Sequence, residues 1–164
     1  MPKFIVTGGS GLIGSNLVAA LNLRGHEDIV IVDNLNHPAK RAHLATLRYR
    51  EYLDKTAFRA NILNDTLAPV DAVFHLGACS STTESDQAYL ADNNTTYSRD
   101  VCIWCLRHNV RFIYASSAAT YGDGTLGYSD DTGRLADLKP LNLYGCSKQE
   151  FDLLALKSGW LRDI

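Results

Sequence analysis

An α/β fold, with a parallel sheet covered by helices on both faces, is what this sequence predicts, and three observations carry the prediction. Short β-branched apolar runs alternate with helical periods along the 164 residues. The first run passes directly into a glycine-rich turn that opens a helix. The second run, Ile29-Val30-Ile31-Val32, is apolar throughout, as a strand buried on both faces must be. Strands that alternate with helices in this way run parallel through right-handed crossovers, which is the doubly wound arrangement.

Taken in order, residues 4–7 form the first strand and end in Gly8-Gly9-Ser10-Gly11. Over residues 13–23, Leu17, Val18 and Leu21 recur at helical spacing, and Arg24-Gly25 supplies the stop. Residues 29–32 are the second strand. Asn36-His37-Pro38 breaks the chain, and a polar helix-like stretch begins near Ala39. Residues 49–53 are a candidate third strand, followed by a short helix over 55–63. Residues 71–77 read as a fourth strand ending on glycine, 86–108 as one long helix and 111–115 as a fifth strand. The stretch 122–139, rich in Gly, Asp, Ser and Thr, reads as a loop whose length favours a functional role. Residues 142–157 are the last helix, and 160–164 end the sequence without a further strand. A doubly wound dinucleotide fold has about six strands. The expectation is therefore one incomplete nucleotide-binding domain over residues 1–164, truncated after about five strands.

Hydrophobic residues make up 46% and charged residues 21%, ordinary proportions for a globular chain. A formal net charge of -2 supplies no bulk basic field for nucleic acid or an anionic membrane surface. No apolar run approaches the roughly 20 residues of a membrane span. Met1-Pro2-Lys3-Phe4 leads straight into a strand, so no signal peptide and a cytoplasmic location are expected. Cys79, Cys102, Cys105 and Cys146 are too few for a disulfide scaffold. Cys102 and Cys105 have C-x-x-C spacing but fall inside a helical pattern without a second pair, so buried, reduced thiols are expected. The histidines show no ligand spacing with Cys, Asp or Glu, and no metal is expected. His75, in an apolar strand, is expected to be a packed, hydrogen-bonded side chain. Val101, Trp104 and Leu106 are expected in the core.

Gly8, Gly11 and Gly14 have the G-x-x-G-x-x-G spacing of a Rossmann-type turn between strand and helix. Glycine there permits a tight turn and close backbone approach, and the helix N-terminus offers unpaired N–H groups to a pyrophosphate. Asp33 follows the second strand about twenty residues after Gly14, where an acid accepts hydrogen bonds from adenosine ribose hydroxyls. By charge alone Asp33 favours NAD over NADP. Lys40 and Lys55 could offset it, so the residues leave that choice open. Tyr144 and Lys148 form a Y-x-x-x-K pair on one face of the last helix. A nearby cation stabilises a phenolate and brings a tyrosine from its usual pKa of about 10 toward working range. Ala115-Ser116-Ser117 at the end of the fifth strand places Ser117 to hydrogen-bond the substrate oxygen that Tyr144 deprotonates.

Together these elements resemble the extended short-chain dehydrogenase/reductase superfamily of nucleotide-sugar enzymes. The resemblance is closer in three stretches: His75-Leu76-Gly77-Ala78-Cys79-Ser80-Ser81-Thr82-Thr83-Glu84, Asp92-Asn93-Asn94, and Tyr114 to Gly122 with Lys139 to Lys148. They are similar to the branch that epimerises an ADP-linked heptose, and the run from Ala78 to Glu84 is distinctive of it. The similarity covers essentially the whole chain but only the N-terminal half of the family's length.

The resemblance implies tightly held NADP, transient oxidation of the heptose C6 hydroxyl, and return of hydride to the opposite face, in lipopolysaccharide inner-core synthesis. It implies that Leu12, Ile13, Asp33, Asn34, Lys40 and Lys55 contact the adenosine end of the cofactor. Leu76, Gly77, Ala78, Cys79, Ser80 and Asn93 would line it further along. Tyr144 would be the acid/base, Lys148 the cation that tunes it, and Ser117 a substrate-orienting hydroxyl. Lys40 and Lys55 match the positions that accommodate a 2′-phosphate, so NADP is preferred and NAD is the alternative. Leu76 stands where some members carry an acid, so its contact would be through backbone or packing. A full-length member would be a homo-oligomer. The family's substrate domain and a further catalytic lysine would lie beyond Ile164, so a truncated member, unable alone to complete epimerisation, is expected. The alternatives are another nucleotide-sugar epimerase or dehydratase of the superfamily, and a non-catalytic NAD(P)-binding module.

Overall fold

The apolar runs β1 (Phe4–Thr7) and β2 (Ile29–Asp33) lie side by side in parallel, with Ile5 opposite Val30 and Val6 opposite Ile31. In the computed structural model, which describes residues 1–162, they belong to a five-stranded, wholly parallel sheet ordered β3-β2-β1-β4-β5. The other strands are β3 (Glu51–Asp54), β4 (Ala72–His75) and β5 (Arg111–Tyr114). The chain starts in the middle of the sheet, runs to one edge, and returns past β1 to the other side. Strand order thus reverses between β1 and β4, the switch point where this architecture binds ligands.

Two rows of side chains explain why the sheet is covered on both faces. Val6, Ile31 and Phe74 share one face by register and pack with Val18 and Leu44 from the helices α1 (Leu12–Leu23) and α2 (Pro38–Leu44). Val30, Ile5, Val73 and Phe112 form the opposite row, each at most 2% exposed. Right-handed crossovers back across the sheet place α3 (Lys55–Leu63) and α5 (Tyr97–Arg107) over that row. Arg59 of α3 and Asp100 of α5 are joined at 2.8 Å, as two helices on one face should be. Each of these buried aliphatic side chains contributes about 1.5–3 kcal/mol.

The chain divides into two compact units, Met1–Gly77 with Asp100–Tyr114, and Ala78–Arg99 with Ala115–Ile164. The first holds the whole sheet. The second is helical: α4 (Gln87–Leu90), a π-helical turn (Ala91–Thr96), two short 3-10 turns (Ala118–Tyr121 and Thr132–Arg134), α6 (Leu143–Lys157) and a 3-10 turn at Trp160–Arg162. Phe151 and Ala155 of α6 and Leu90 of α4 are at most 1% exposed and centre its core.

Four elements differ from the sequence expectation, one being β4, which ends at His75, short of the expected Gly77. The third strand is shifted toward Asp54, because Asp54 ends β3 and caps α3 by accepting a hydrogen bond from the Thr56 N–H at 2.8 Å. The expected helix over 86–108 is interrupted by the π-helical turn, where the weak helix formers Asn93, Asn94 and Thr95 spend their side chains on other partners. The loop over 122–139 contains the 3-10 turn at Thr132–Arg134, capped by Asp131. The residues 163–164, part of the expected domain end, lie outside the described residues. Cys102 and Cys105 are fully buried free thiols, as expected, and burial pushes the Cys102 thiol up to about 12 and Cys105 further.

Candidate functional site

β1 delivers the chain into the Gly8–Gly14 turn at the switch point. Gly8 N–H donates to Val32 O at 2.7 Å, and Gly11 N–H donates back to Gly8 O at 2.9 Å, closing the turn. A Cβ on Gly14 would stand 2.2 Å from Gly8 O, so only glycine lets α1 start this close to the strand. Gly11 is the N-cap of α1 and brings no side chain to it, which leaves the first-turn N–H groups for an incoming ligand. Leu12 and Ile13, at 73% and 71% exposed, offer an apolar surface beside those donors. Ser10 is fully buried and its hydroxyl has no hydrogen-bond partner among the described residues. A tight loop that no side chain could enter, with open donors and an orphaned buried hydroxyl, fits the pyrophosphate of a dinucleotide.

Asp33 ends β2 and is 8% exposed. Its Oδ2 accepts from Ser10 N–H at 3.0 Å, and its Oδ1 accepts from Asn34 N–H and from Lys40 Nζ, both at 2.7 Å. Burial works to raise its pKa, but the Lys40 ammonium and the two backbone donors together hold the carboxyl below the usual carboxylate range. Lys40 also donates to Asn34 O at 3.0 Å and Asn34 Oδ1 at 2.7 Å. Lys55 follows Asp54, the register partner of Asp33, and so stands at the same end of the sheet. His43, one turn along α2 from Lys40, places Nδ1 2.8 Å from Ser10 O. Ser10 is therefore held on its N–H by Asp33 and on its carbonyl by His43, a residue with no local signal in its sequence neighbourhood.

At the exit of β4, Gly77 N–H donates to Thr7 Oγ1 at 3.0 Å, bringing the loop after β4 against the end of β1. Thr7 Oγ1 also lies 2.7 Å from Nδ1 of His75, which is 1% exposed and stacked near Phe112 and Tyr114. His75 is thus the packed, hydrogen-bonded histidine that its apolar strand implied. Leu76 is half-buried beside it.

In the second unit, Ala78, Cys79 and Ser80 are shaped by one residue that sequence reasoning passed over. Asn94, fully buried in the π-helical turn, accepts from Cys79 N–H at 2.8 Å and donates to Cys79 O at 3.0 Å. It also donates to Ser147 Oγ of α6 at 2.9 Å and accepts from Asn93 Nδ2, also at 2.9 Å. Asn93, the expected cofactor contact, is half-buried next to it. The available signal was the run Asn93-Asn94-Thr95-Thr96 inside a helical period, a composition helices avoid unless side chains bond elsewhere.

α6 is capped by Asn142, whose Oδ1 accepts from Gly145 N–H at 2.8 Å. A Cβ on Gly145 would meet Ala119 O at 2.8 Å, so glycine lets the first turn of α6 settle onto the 3-10 turn that begins after Ser117. Tyr144 is half-buried, and Lys148, one turn further, is 3% exposed. Burial outweighs the opposing pull of the Asp152 carboxylate and lowers the Lys148 pKa to about 8. The ammonium therefore still predominates at neutral pH. Ser117 caps the 3-10 turn, its Oγ accepting from Ala119 N–H at 3.1 Å, which leaves the hydroxyl hydrogen available to a substrate oxygen. Phenol, ammonium and hydroxyl in this unit have the composition of a proton-transfer site for an alcohol. Among the described residues, no three His, Cys, Asp or Glu side chains stand together as metal ligands, and no helix is long and apolar enough to cross a membrane.

Comparisons with known proteins agree with this geometry. A model of the NAD dependent epimerase/dehydratase family matches residues 4–159. The ADP-L-glycero-D-manno-heptose-6-epimerases of Nitratidesulfovibrio vulgaris strains DP4 and Hildenborough are each 52% identical over 162 residues, 98% of this chain and 50% of theirs. The chain thus spans about half the length of the curated relatives it matches. The UDP-Glc/GlcNAc 4-epimerase of Campylobacter jejuni superposes with a TM-score of 0.79 at 28% identity, covering 98% of this chain and 50% of that one. The ADP-L-glycero-D-manno-heptose-6-epimerase of Helicobacter pylori superposes with a TM-score of 0.80 over 96% of this chain and 51% of that one; at 24% identity it speaks for the fold alone. With the family pattern running from β1 to the end of α6, the chain belongs to the NAD dependent epimerase/dehydratase family.

Proposed function

We propose that this chain is the cofactor-binding and catalytic-helix half of an ADP-L-glycero-D-manno-heptose 6-epimerase that uses NADP in the cytoplasm. The observation that carries the substrate reading is the 52% identity to enzymes of that name, sustained over 98% of the chain. For the cofactor, the Lys40–Asp33 contact at 2.7 Å is the support. An unpaired acid at the end of β2 repels a 2′-phosphate, whereas an acid neutralised by an ammonium leaves room for one. Lys55, at the same end of the sheet, adds to that cationic character. The Gly8–Gly14 turn and the first N–H groups of α1 would hold the pyrophosphate, and Leu12 and Ile13 would cover it. Leu76, Gly77, Ala78, Cys79, Ser80 and Asn93 would line the dinucleotide further along.

When bound, the dinucleotide supplies a hydride acceptor and donor. The chain's own residues manage the proton. Tyr144, as phenolate, takes the proton from the substrate hydroxyl while the carbon-bound hydrogen leaves as hydride. Lys148 stabilises that phenolate by its positive charge, and Ser117 donates a hydrogen bond to the reacting oxygen. On return of the hydride, Tyr144 gives the proton back to the oxygen.

The test has two stages. NADPH fluorescence titration of this chain should show tighter binding than NADH; equal affinities would overturn the cofactor reading. In the full-length protein, epimerisation of the ADP-linked heptose should exceed any turnover of UDP-galactose, and Tyr144→Phe should abolish it. Turnover of UDP-galactose alone would move the protein to another nucleotide-sugar branch.

A further inference from the structure

Asp152 is a buried acid that the proton-transfer scheme above does not use. It lies on α6 one turn beyond Lys148 and two beyond Tyr144, so the three side chains share one helix face. It is 8% exposed, beside a lysine that is 3% exposed. Ser116 Oγ donates to its Oδ2 at 2.5 Å. Ser116 directly precedes Ser117, whose own hydroxyl oxygen caps the 3-10 turn at Ala118–Tyr121. One carboxylate therefore reaches two parts of the site: the cation on its own helix, and the segment that presents the substrate-orienting hydroxyl.

We propose that Asp152 is a positioning residue, which anchors the Ser116–Ser117 segment to α6 and supplies the counter-charge that keeps the buried Lys148 an ammonium. A buried ammonium without an opposing charge gives up its proton, and a buried carboxylate without donors takes one. Lys148 and Asp152 each offset the other's burial, and the Ser116 hydroxyl adds a donor that favours the ionised acid. The segments packed against α6 bring Tyr89, Asp92, Tyr121 and Arg162, and α6 itself carries Glu150 and Lys157. The charge that holds the Lys148 ammonium up is that of Asp152. The role assigned to Ser117 and Lys148 rests on the proposed function; the pairing of Asp152 with its two neighbours does not.

The experiment separates the two parts and needs neither cofactor nor turnover. In the chain labelled with 13C-lysine, the Lys148 ε-carbon, assigned through Lys148→Arg, is followed with pH, and backbone amide resonances report Ser117 and Ala119. Asp152→Asn keeps an oxygen for Ser116 but removes the charge. It should lower the Lys148 midpoint by about one unit, a tenfold change in ammonium-to-amine ratio, with the Ser117 and Ala119 amides unmoved. Ser116→Ala should shift those amides and leave the Lys148 midpoint within a few tenths of a unit. Asp152→Glu should restore the midpoint. An unchanged midpoint in Asp152→Asn overturns the counter-charge role, and unmoved amides in Ser116→Ala overturn the anchoring role. Loss of the proposed function would show instead as absent NADPH binding, with both of these readouts intact.

Discussion

Lys40 Nζ stands 2.7 Å from Asp33 Oδ1, so the acid that ends β2 and the base of α2 neutralise one another at the edge of the nucleotide loop. An acid in this place normally takes the ribose hydroxyls and excludes a phosphate. On the proposed reading, Lys40 meets that charge and leaves room for a 2′-phosphate. Lys40→Ala should weaken NADPH binding about 10- to 100-fold, the equivalent of a charge-assisted contact of about 1.5–3 kcal/mol. NADH affinity should change much less. Parallel fluorescence titrations with both nucleotides measure it, and an equal loss for the two would show that Lys40 shapes the loop without reading the phosphate.

The same contact makes a prediction about stability and pH. Burial pulls the Asp33 pKa up, and the Lys40 hydrogen bond is the largest of the interactions that bring it below its ordinary value. A carboxyl depressed in the fold contributes stability above its unfolded pKa of about 4, and that contribution disappears as pH falls through the lower folded value. Lys40→Met should therefore reduce the urea midpoint at pH 7, and the deficit should shrink steadily below pH 4. A deficit as large at pH 2.5 as at pH 7 would assign the effect to lost packing of the lysine stem.

Much of the architecture was legible because its signals are local. β1 and β2 are apolar on both faces and end in a glycine turn and an acid, features that three or four neighbouring residues announce. β3 is an edge strand with Glu51 and Asp54 exposed, so its pattern is weak and its position was misjudged by about two residues. Asn94 and Asp152 were missed for a different reason. Each acts through partners distant in sequence, Cys79 and Ser147 for the first and Ser116 for the second. A periodicity argument sees only that a polar residue interrupts or decorates a helix; the fold supplies the partner. The split of the chain into two units was equally invisible, since the helix period carries on through the π-helical turn at Ala91–Thr96.

Gly14 is held to its identity by the backbone of Gly8 and Gly9. The Cβ of Gly14→Ala would meet Gly8 O at 2.2 Å and the Gly9 Cα at 2.7 Å, both backbone atoms that cannot rotate away. The turn must open or α1 must shift from β1. Overpacking of this kind costs about 1–3 kcal/mol, and the urea midpoint should fall accordingly. Because the displaced atoms are those that would surround the pyrophosphate, NADPH binding should fall by more than the loss of folded protein explains. A variant with the parent's midpoint and affinity would show that the turn has slack that its geometry denies.

The Asn94 side chain joins Cys79, Asn93 and Ser147, and its removal isolates what it holds. Asn94→Ala strips the Cys79 peptide of both its side-chain partners and leaves Ser147 Oγ without the amide donor, though Ser147 still donates to Tyr144 O at 2.7 Å. Buried groups left unpaired cost about 1–3 kcal/mol each. Water can reach the half-buried Cys79 segment, so the total should be about 2–4 kcal/mol. Asn94→Asp separates the two sides of the interaction. Its carboxylate can still accept from Cys79 N–H but has no N–H for Cys79 O or Ser147 Oγ, and it buries a charge besides. Urea denaturation gives the cost, and amide exchange at Cys79 gives its location. Exchange at Cys79 should speed up strongly in Asn94→Ala and remain partly protected in Asn94→Asp. If the Cys79 amide is as protected in Asn94→Ala as in the parent, the loop after β4 is held by something other than Asn94.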